Sequence, residues 1–160
     1  MQSDRRSKKV AAIVHCILNQ NSRVYGLAHY PAMVDEIVNL LQKHHIGVMQ
    51  MPCPELTYAG VNREPRTREG YNTPKFRKHC KKIAISIANQ VQAYLENDFQ
   101  ILTVLGVAGS PSCATSEPRG ILIEELKQQL EKRNVTVPML EIEHENVQEN
   151  IEQLEKILTT

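Results

Sequence analysis

Residues 10–16 read Val10-Ala11-Ala12-Ile13-Val14-His15-Cys16, and this stretch decides the fold. Its first five residues form an unbroken apolar run, which is typical of a strand buried on both of its faces. Such strands occur almost only in parallel sheets that are covered by helices. The stretch therefore predicts an α/β sheet built around residues 10–14, with Cys16 just beyond the carboxyl end of this strand.

The rest of the chain alternates between strand-like and helix-like patterns. Strands are also predicted over residues 46–51, 100–107 and 135–142, and helices over 33–43, 74–97, 120–132 and 147–158. Thr73-Pro74 suits a helix start, because threonine is a good N-cap and proline is favoured at the first helical position. Residues 52–73 show no periodicity and are expected to form a long loop, which is often functional. The order β-α-β-α-β-α-β-α predicts a single Rossmann-like α/β domain, with a mainly parallel sheet and helices on both faces.

Composition and charge limit the class of protein. The 160 residues are 41% apolar and 23% charged, which predicts one globular domain over residues 10–160 behind a flexible lead of residues 1–9. The net charge of +1 favours no nucleic-acid partner. No apolar run approaches the roughly 18 residues of a membrane span. The apolar run after the basic N-terminus is too short for a signal-peptide core, so the expected location is the cytoplasm.

Three of the four cysteines are predicted to lie at one edge of the sheet. Cys16, Cys53 and Cys113 each follow a predicted strand. The carboxyl ends of parallel strands meet at the same edge, which is where open α/β sheets bind ligands. Cys80 lies instead on the apolar face of a predicted helix and is expected to be a core residue. Because cytoplasmic thiols stay reduced, the three-cysteine set favours metal binding or catalysis over disulfides.

Three thiolates that share a pocket need a cation between them. Two unit charges 4 Å apart repel by roughly 4 kcal/mol at an effective dielectric constant near 20. The alternative is that the three thiols stay protonated and unconnected. Structural zinc sites use four ligands and short Cys-x2-Cys spacings that this chain lacks, and iron–sulfur clusters are normally held by four cysteines. A cluster held by only three would keep one iron open to a substrate, as catalytic zinc keeps an open position, and this points to catalysis.

The sequence around these cysteines resembles the 2-thiouracil desulfidase family. Residues 16–26, Cys-Ile-Leu-Asn-Gln-Asn-Ser-Arg-Val-Tyr-Gly, are similar to that family's opening motif Cys-Leu-Leu-Gly-x-Asn-x-Arg-Tyr-Asp-Gly. The resemblance spans residues 10 to about 140 and continues through Cys53-Pro54-Glu55, Pro65-Arg66, Gly70-Tyr71-Asn72-Thr73 and Ser110-Pro111-Ser112-Cys113. Departures from the family pattern at residues 24–26, Asn72 and Ala114 fall on the expected substrate side. They predict a related desulfidase that does not necessarily act on thiouracil.

The resemblance implies a 4Fe–4S cluster held by Cys16, Cys53 and Cys113, whose fourth iron takes the sulfur of a small thiocarbonyl substrate. It implies that Glu55 and Ser110 serve as acid–base and positioning residues. The implied reaction replaces C=S by C=O on a thiolated base and releases sulfide. From the residues alone, the alternatives are a solvated loop glutamate for Glu55 and an ordinary turn residue for Ser110.

Two other functions are compatible with the same pattern. A non-catalytic iron–sulfur protein, such as a sensor or sulfide carrier, would use the same three cysteines. A plain Rossmann-like nucleotide binder is disfavoured, because no Gly-x-Gly-x-x-Gly or P-loop follows the first strand. Four loop arginines could bind an anionic substrate group or simply be exposed to solvent; they are Arg23, Arg63, Arg66 and Arg68.

Overall fold

Four parallel strands form the sheet of this protein, whose computed structural model describes residues 3–160. The strands are β1 (Lys9–Val14), β2 (Gly47–Met51), β3 (Gln100–Val107) and β4 (Met139–Ile142). They lie in the order β2-β1-β3-β4, and every neighbouring pair is parallel. As the apolar run predicted, β1 is a central strand, and Ala11, Ala12 and Ile13 are fully buried.

Helices cover both faces of this sheet, which confirms the predicted Rossmann-like α/β domain. The helices are α1 (His15–Leu18), α2 (Asp35–Lys43), α3 (Pro54–Ala59), α4 (Arg68–Tyr71), α5 (Pro74–Leu95), α6 (Ile121–Lys132) and α7 (Val147–Leu158). α2 packs against α7, and α5 packs against α6. Because parallel strands are joined by right-handed crossovers, these two pairs lie on opposite faces. Over residues 3–160, no helix combines the length and the apolar character needed to cross a membrane.

The elements differ from the predicted ones in several places. α1 was not predicted, and α5 ends at Leu95 and not at residue 97. α2 begins at Asp35 and not at residue 33, because the backbone is still extended at Val34. β4 is shorter than predicted, since Pro138 has no N–H to donate to a neighbouring strand. The expected loop over residues 52–73 contains α3 and α4, which at six and four residues are too short to show a helical period. Thr73 caps α5 as predicted, accepting a hydrogen bond from the backbone N–H of Phe76.

The register of β1 brings the first two cysteine loops to the same level. Val14 of β1 pairs with Met51 of β2. Cys16 and Cys53 therefore each lie two residues beyond a directly paired position. The next strand in the chain after β1 is β2, which lies on one side of β1 in the sheet. β3 lies on the other side of β1. The carboxyl ends of β1 and β3 thus flank the topological switch point, where sheets of this type bind ligands.

Two glycines let the chain after β3 fold back against the sheet. A Cβ atom at Gly106, within β3, would lie 2.2 Å from the carbonyl oxygen of Cys113. A Cβ atom at Gly120 would lie 2.1 Å from the carbonyl carbon of Ser112. The Cys113 carbonyl also accepts a hydrogen bond from the backbone N–H of Val107 at 3.1 Å. Only glycine permits this close approach, which fixes Cys113 beside the end of β3.

We expect Gly106→Ala to lower the free energy of unfolding by about 2 kcal/mol or more, because the added methyl group overlaps the Cys113 carbonyl, and overpacking of this kind is costly. Urea denaturation measures the change. Gly47→Ala in β2 is the matched control, since a Cβ atom there meets only the Lys9 carbonyl oxygen at 3.6 Å, an ordinary contact. Equal stabilities of the two variants would contradict the role assigned to Gly106.

Candidate functional site

One cavity at the carboxyl edge of the sheet brings together the loops that follow β1, β2 and β3. Its volume is about 300 Å³. Its lining includes all five residues that the sequence singled out, namely Cys16, Cys53, Glu55, Ser110 and Cys113. Cys80 is fully buried on α5 and is not part of this lining, as predicted.

Each cavity cysteine has a polar group beside its sulfur, and all four cysteines of the chain are free thiols. For the first two cysteines the donors come from an arginine side chain and from the backbone at the start of α3. For the third the neighbour is a serine hydroxyl. The contacts are Arg23 Nη1 to Cys16 Sγ at 3.9 Å, Leu56 N to Cys53 Sγ at 3.4 Å, and Ser112 Oγ to Cys113 Sγ at 3.6 Å.

The three thiols have raised pKa values. Burial is the largest cause for Cys16 and Cys53, although the Arg23 guanidinium partly lowers the pKa of Cys16. Burial, together with the closeness of the other two cysteines, raises the pKa of Cys113 well above its usual range. Without a bound cation, all three groups are therefore protonated thiols at neutral pH.

The thiols do not form a site for a single metal ion. Among residues 3–160, no three His, Cys, Asp or Glu side chains lie close enough to hold one ion. The ligands of an iron–sulfur cluster bind different irons, and they lie farther apart than the ligands of one ion. The donor set is compatible with such a cluster, because three free thiols face one cavity and two of them, Cys16 and Cys53, each have a donor that can stabilise a charged sulfur.

Glu55 is a buried residue of the first turn of α3, so the alternative of a solvated loop glutamate is wrong. Its Oε2 accepts a hydrogen bond from Ser112 Oγ at 2.6 Å. Its Oε1 lies 3.4 Å from Arg63 Nε, and the Arg63 side chain is itself only 4% exposed. A buried carboxylate has to be paired and hydrogen-bonded, and these two donors meet that requirement.

The two serines of the Ser-Pro-Ser-Cys motif make different contacts. Ser110 Oγ accepts hydrogen bonds from the backbone N–H groups of Ser112 at 3.3 Å and Cys113 at 3.0 Å, so it holds the turn that carries the third thiol. Ser112, which is 1% exposed, is the serine that contacts Glu55. The two serine Oγ atoms lie 3.5 Å apart. The sequence did not single out Ser112, because no spacing rule shows which of two serines meets a glutamate 57 positions away.

The four loop arginines separate into two pairs. Arg63 is buried and donates to the backbone carbonyl of Ser22 at 2.9 Å, which joins the loop after β1 to α3. Arg68 is bound to a glutamate of α6 and to a backbone carbonyl, and lies outside the lining of this cavity. Arg23 and Arg66 line the cavity, and neither forms an ion pair within the described part of the chain.

The positions that depart from the desulfidase motifs are not all on the cavity side. Val24 lines the cavity, and Ala114 lines a second cavity of about 510 Å³ that shares Ser110 with the first. Asn72 lies outside both linings and accepts a hydrogen bond from Arg77 at 2.7 Å. Tyr25 is fully exposed and, like Asn72, lines neither cavity. Only Val24 and Ala114 of the departing positions therefore line a cavity, and whether a substrate binds beside them stays a prediction.

An archaeal protein matches this chain over most of both lengths. The chain is 38% identical over 136 residues to the uncharacterized protein MJ0003 of Methanocaldococcus jannaschii, and the alignment covers 85% of this chain and 86% of that protein. No protein-family model and no solved structure matches the chain. Identity at this level over so much of both chains shows that this protein belongs to the same family as the Methanocaldococcus protein.

Proposed function

We propose that this protein is an iron–sulfur-dependent hydrolytic desulfidase. Its reaction would convert the C=S group of a small thiolated base or thioamide and one water into C=O and hydrogen sulfide. The observation that carries the proposal is the shared cavity, because three free thiols and the buried Glu55–Ser112 pair line the same 300 Å³ space at the switch point. A cavity of this size is at the lower end of the range for small-molecule sites.

The three cavity cysteines would hold a 4Fe–4S cluster, in keeping with the resemblance to the desulfidase family. When bound, such a cluster supplies an iron with an open position, which is a Lewis acid with a preference for soft sulfur donors. The chain's own contribution is the set of donors beside the sulfurs. Arg23 and the backbone N–H of Leu56 point at Cys16 and Cys53, and they stabilise these groups as thiolates.

Glu55 and the two serines would handle the protons of the reaction. The attacking water has to lose both of its protons on the way to C=O, and the departing sulfur has to gain two to leave as hydrogen sulfide, so the site needs a group that both accepts and donates. Glu55 lines the cavity and accepts from Ser112 Oγ at 2.6 Å. Ser110 Oγ lies 3.5 Å beyond Ser112 Oγ and also lines the cavity. These three side chains therefore form a path along which a proton taken from water returns to the leaving sulfur.

Arg63 would keep Glu55 available for this role. Its guanidinium contacts Glu55 Oε1, whereas Ser112 contacts Oε2, and it donates to the carbonyls of Ser22 and Gly60. A guanidinium held by two carbonyls cannot swing away from the carboxylate. A non-catalytic iron–sulfur protein remains the second candidate, but a carrier or sensor has no need for a buried proton path beside the thiols.

We expect anaerobic reconstitution with iron and sulfide to give a brown protein with about four irons per chain. Cys16→Ala, Cys53→Ala and Cys113→Ala should each lose iron and colour, because each removes one of the only three thiols in the cavity. Cys80→Ala is the matched control and should keep both, since Cys80 is a core residue outside the lining. Iron analysis and visible absorption measure the result, and a colourless wild-type protein would contradict the proposed cofactor.

We expect Glu55→Gln to lower kcat for sulfide release by about a hundredfold or more, because an acid–base group typically contributes 10²–10⁴-fold. Ser112→Ala should lower kcat less, by about tenfold, since the carboxylate remains but loses its donor. Sulfide release from thiouracils, thiouridines and thioamides measures the effect, with the cluster absorption confirming that each variant is loaded.

Ser86→Ala is the control for Ser112→Ala, because Ser86 is an exposed serine on α5, remote from the cavity lining. It should turn over like the wild-type protein. The Glu55→Gln, Ser112→Ala and Ser86→Ala proteins could all keep full colour while the wild-type protein releases no sulfide from any of these substrates. That result would favour the carrier or sensor over the desulfidase.

A further inference from the structure

Gln20 carries a buried amide that bridges the first cavity cysteine and the loop that follows it. It begins the short 3-10 turn Gln20–Ser22 and is 5% exposed. Its Nε2 donates to the Cys16 carbonyl at 2.7 Å, and its Oε1 accepts from the backbone N–H of His29 at 3.1 Å. A carbonyl can only accept and an N–H can only donate, so these two partners fix which end of the amide is the oxygen.

The bond to the Cys16 carbonyl takes the place of a helical hydrogen bond. In α1 the carbonyl of His15 accepts from the backbone N–H of Asn19, four residues later, at 3.0 Å. The same pattern would give the Cys16 carbonyl the backbone N–H of Gln20, but that N–H donates to the Ala32 carbonyl at 2.6 Å. The side chain of Gln20 therefore supplies the donor that the Cys16 carbonyl needs where the helix ends.

Both ends of this bridge are held by further contacts. The His29 ring stacks on the ring of His144, which follows β4, with centroids 3.3 Å apart and planes inclined by 10°. At the other end, the backbone N–H of Arg23 donates to the Gln20 carbonyl at 3.1 Å, and Arg23 Nη1 lies 3.9 Å from Cys16 Sγ. Gln20 thus holds the backbone of Cys16 directly and also holds the residue whose guanidinium faces the Cys16 sulfur.

We propose that Gln20 is a positioning residue for Cys16, whose thiol it keeps in place at the cavity. An amide suits this role, because it carries both a donor and an acceptor and no charge, so neither end is unpaired when it is buried. A carboxylate in the same place could still accept from His29 but could not donate to Cys16. The consequence for a bound cluster rests on the proposed function, whereas the placement of the thiol does not.

Alkylation of the protein without cluster tests the placement, because mass spectrometry reports the rate at each cysteine separately. We expect Gln20→Glu to raise the rate of iodoacetamide alkylation at Cys16 about tenfold, and to leave the other three cysteines within twofold. Loss of one buried hydrogen bond should make the local opening of this segment about tenfold more populated. The reaction is run at about pH 8, where an introduced carboxyl group is ionised. Cys80 is fully buried in the core, so a raised rate there would indicate global loosening.

A second variant and a control complete this test. Gln20→Leu removes both contacts of the amide without adding a charge, and it should also raise the rate at Cys16 alone. Gln128→Glu is the matched control and should change no rate, because Gln128 is an exposed residue of α6 outside the lining of both cavities. An unchanged rate at Cys16 in either Gln20 variant overturns the proposal. An equal rise at all four cysteines overturns it too, because the role of Gln20 would then be general stability.

Iron release tests the consequence for the cluster. In the reconstituted protein, Gln20→Glu should lose iron to a chelator about tenfold faster than the wild type, since removing a group that supports a metal ligand typically weakens metal binding 10–100-fold. Gln128→Glu should release iron at the wild-type rate. Equal release by all three proteins would contradict the effect on the cluster. If the wild-type protein stays colourless, but Gln20→Glu still raises alkylation at Cys16 alone, the proposed function fails and the positioning of Cys16 stands.

Discussion

The parallel pairing of β1 with β2 and β3 is the constraint on which the rest of the structure depends. β1 is buried on both faces, so its backbone groups have to find their partners in the two neighbouring strands. This pairing sets the level at which the strands end, because Val14 faces Met51 and Ile13 faces Leu105. A register shift of one residue would move Cys16 about 3.3 Å along the sheet relative to Cys53 and turn alternate side chains to the wrong face.

The third cysteine depends on a different constraint, which is close backbone contact. Gly106 and Gly120 admit the turn at residues 110–114 against the end of β3, and Ser110 holds that turn through two backbone N–H groups. The same contact buries Ser112 and turns its hydroxyl toward Glu55. The Ser-Pro-Ser-Cys motif at residues 110–113 is recognisable in the sequence, but two glycines outside the motif, Gly106 and Gly120, keep it in place.

Glu55 and Arg63 form the buried ion pair of the site, and this pair is poorly explained by stability alone. Burying two charges carries a desolvation cost that their attraction often only offsets, and apolar side chains of similar volume usually serve a core equally well. Here the pair lines a cavity that is also lined by three cysteines and three serines. Buried charges beside reactive groups are typical of functional sites, which agrees with a role in chemistry.

Much of the fold and part of the site could be predicted from the sequence, because the signals concerned are local. The apolar run of β1, the alternation of strands and helices, and the Thr73 cap depend on residues close in the chain. The placement of Cys16, Cys53 and Cys113 at one edge followed from these signals, since parallel strands end together. The short helices α1, α3 and α4 were missed, because helices of four to six residues carry too little periodicity.

By itself the sequence determined the parallel α/β fold and the meeting of three thiols at one sheet edge. Only the tertiary structure decided that Ser112 is the serine in contact with Glu55 and that Arg63 is buried beside it. The reason is physical: the contact between Glu55 and Ser112 joins residues 57 positions apart. Such contacts depend on how loops pack against one another in space, and no local pattern of residues encodes that packing.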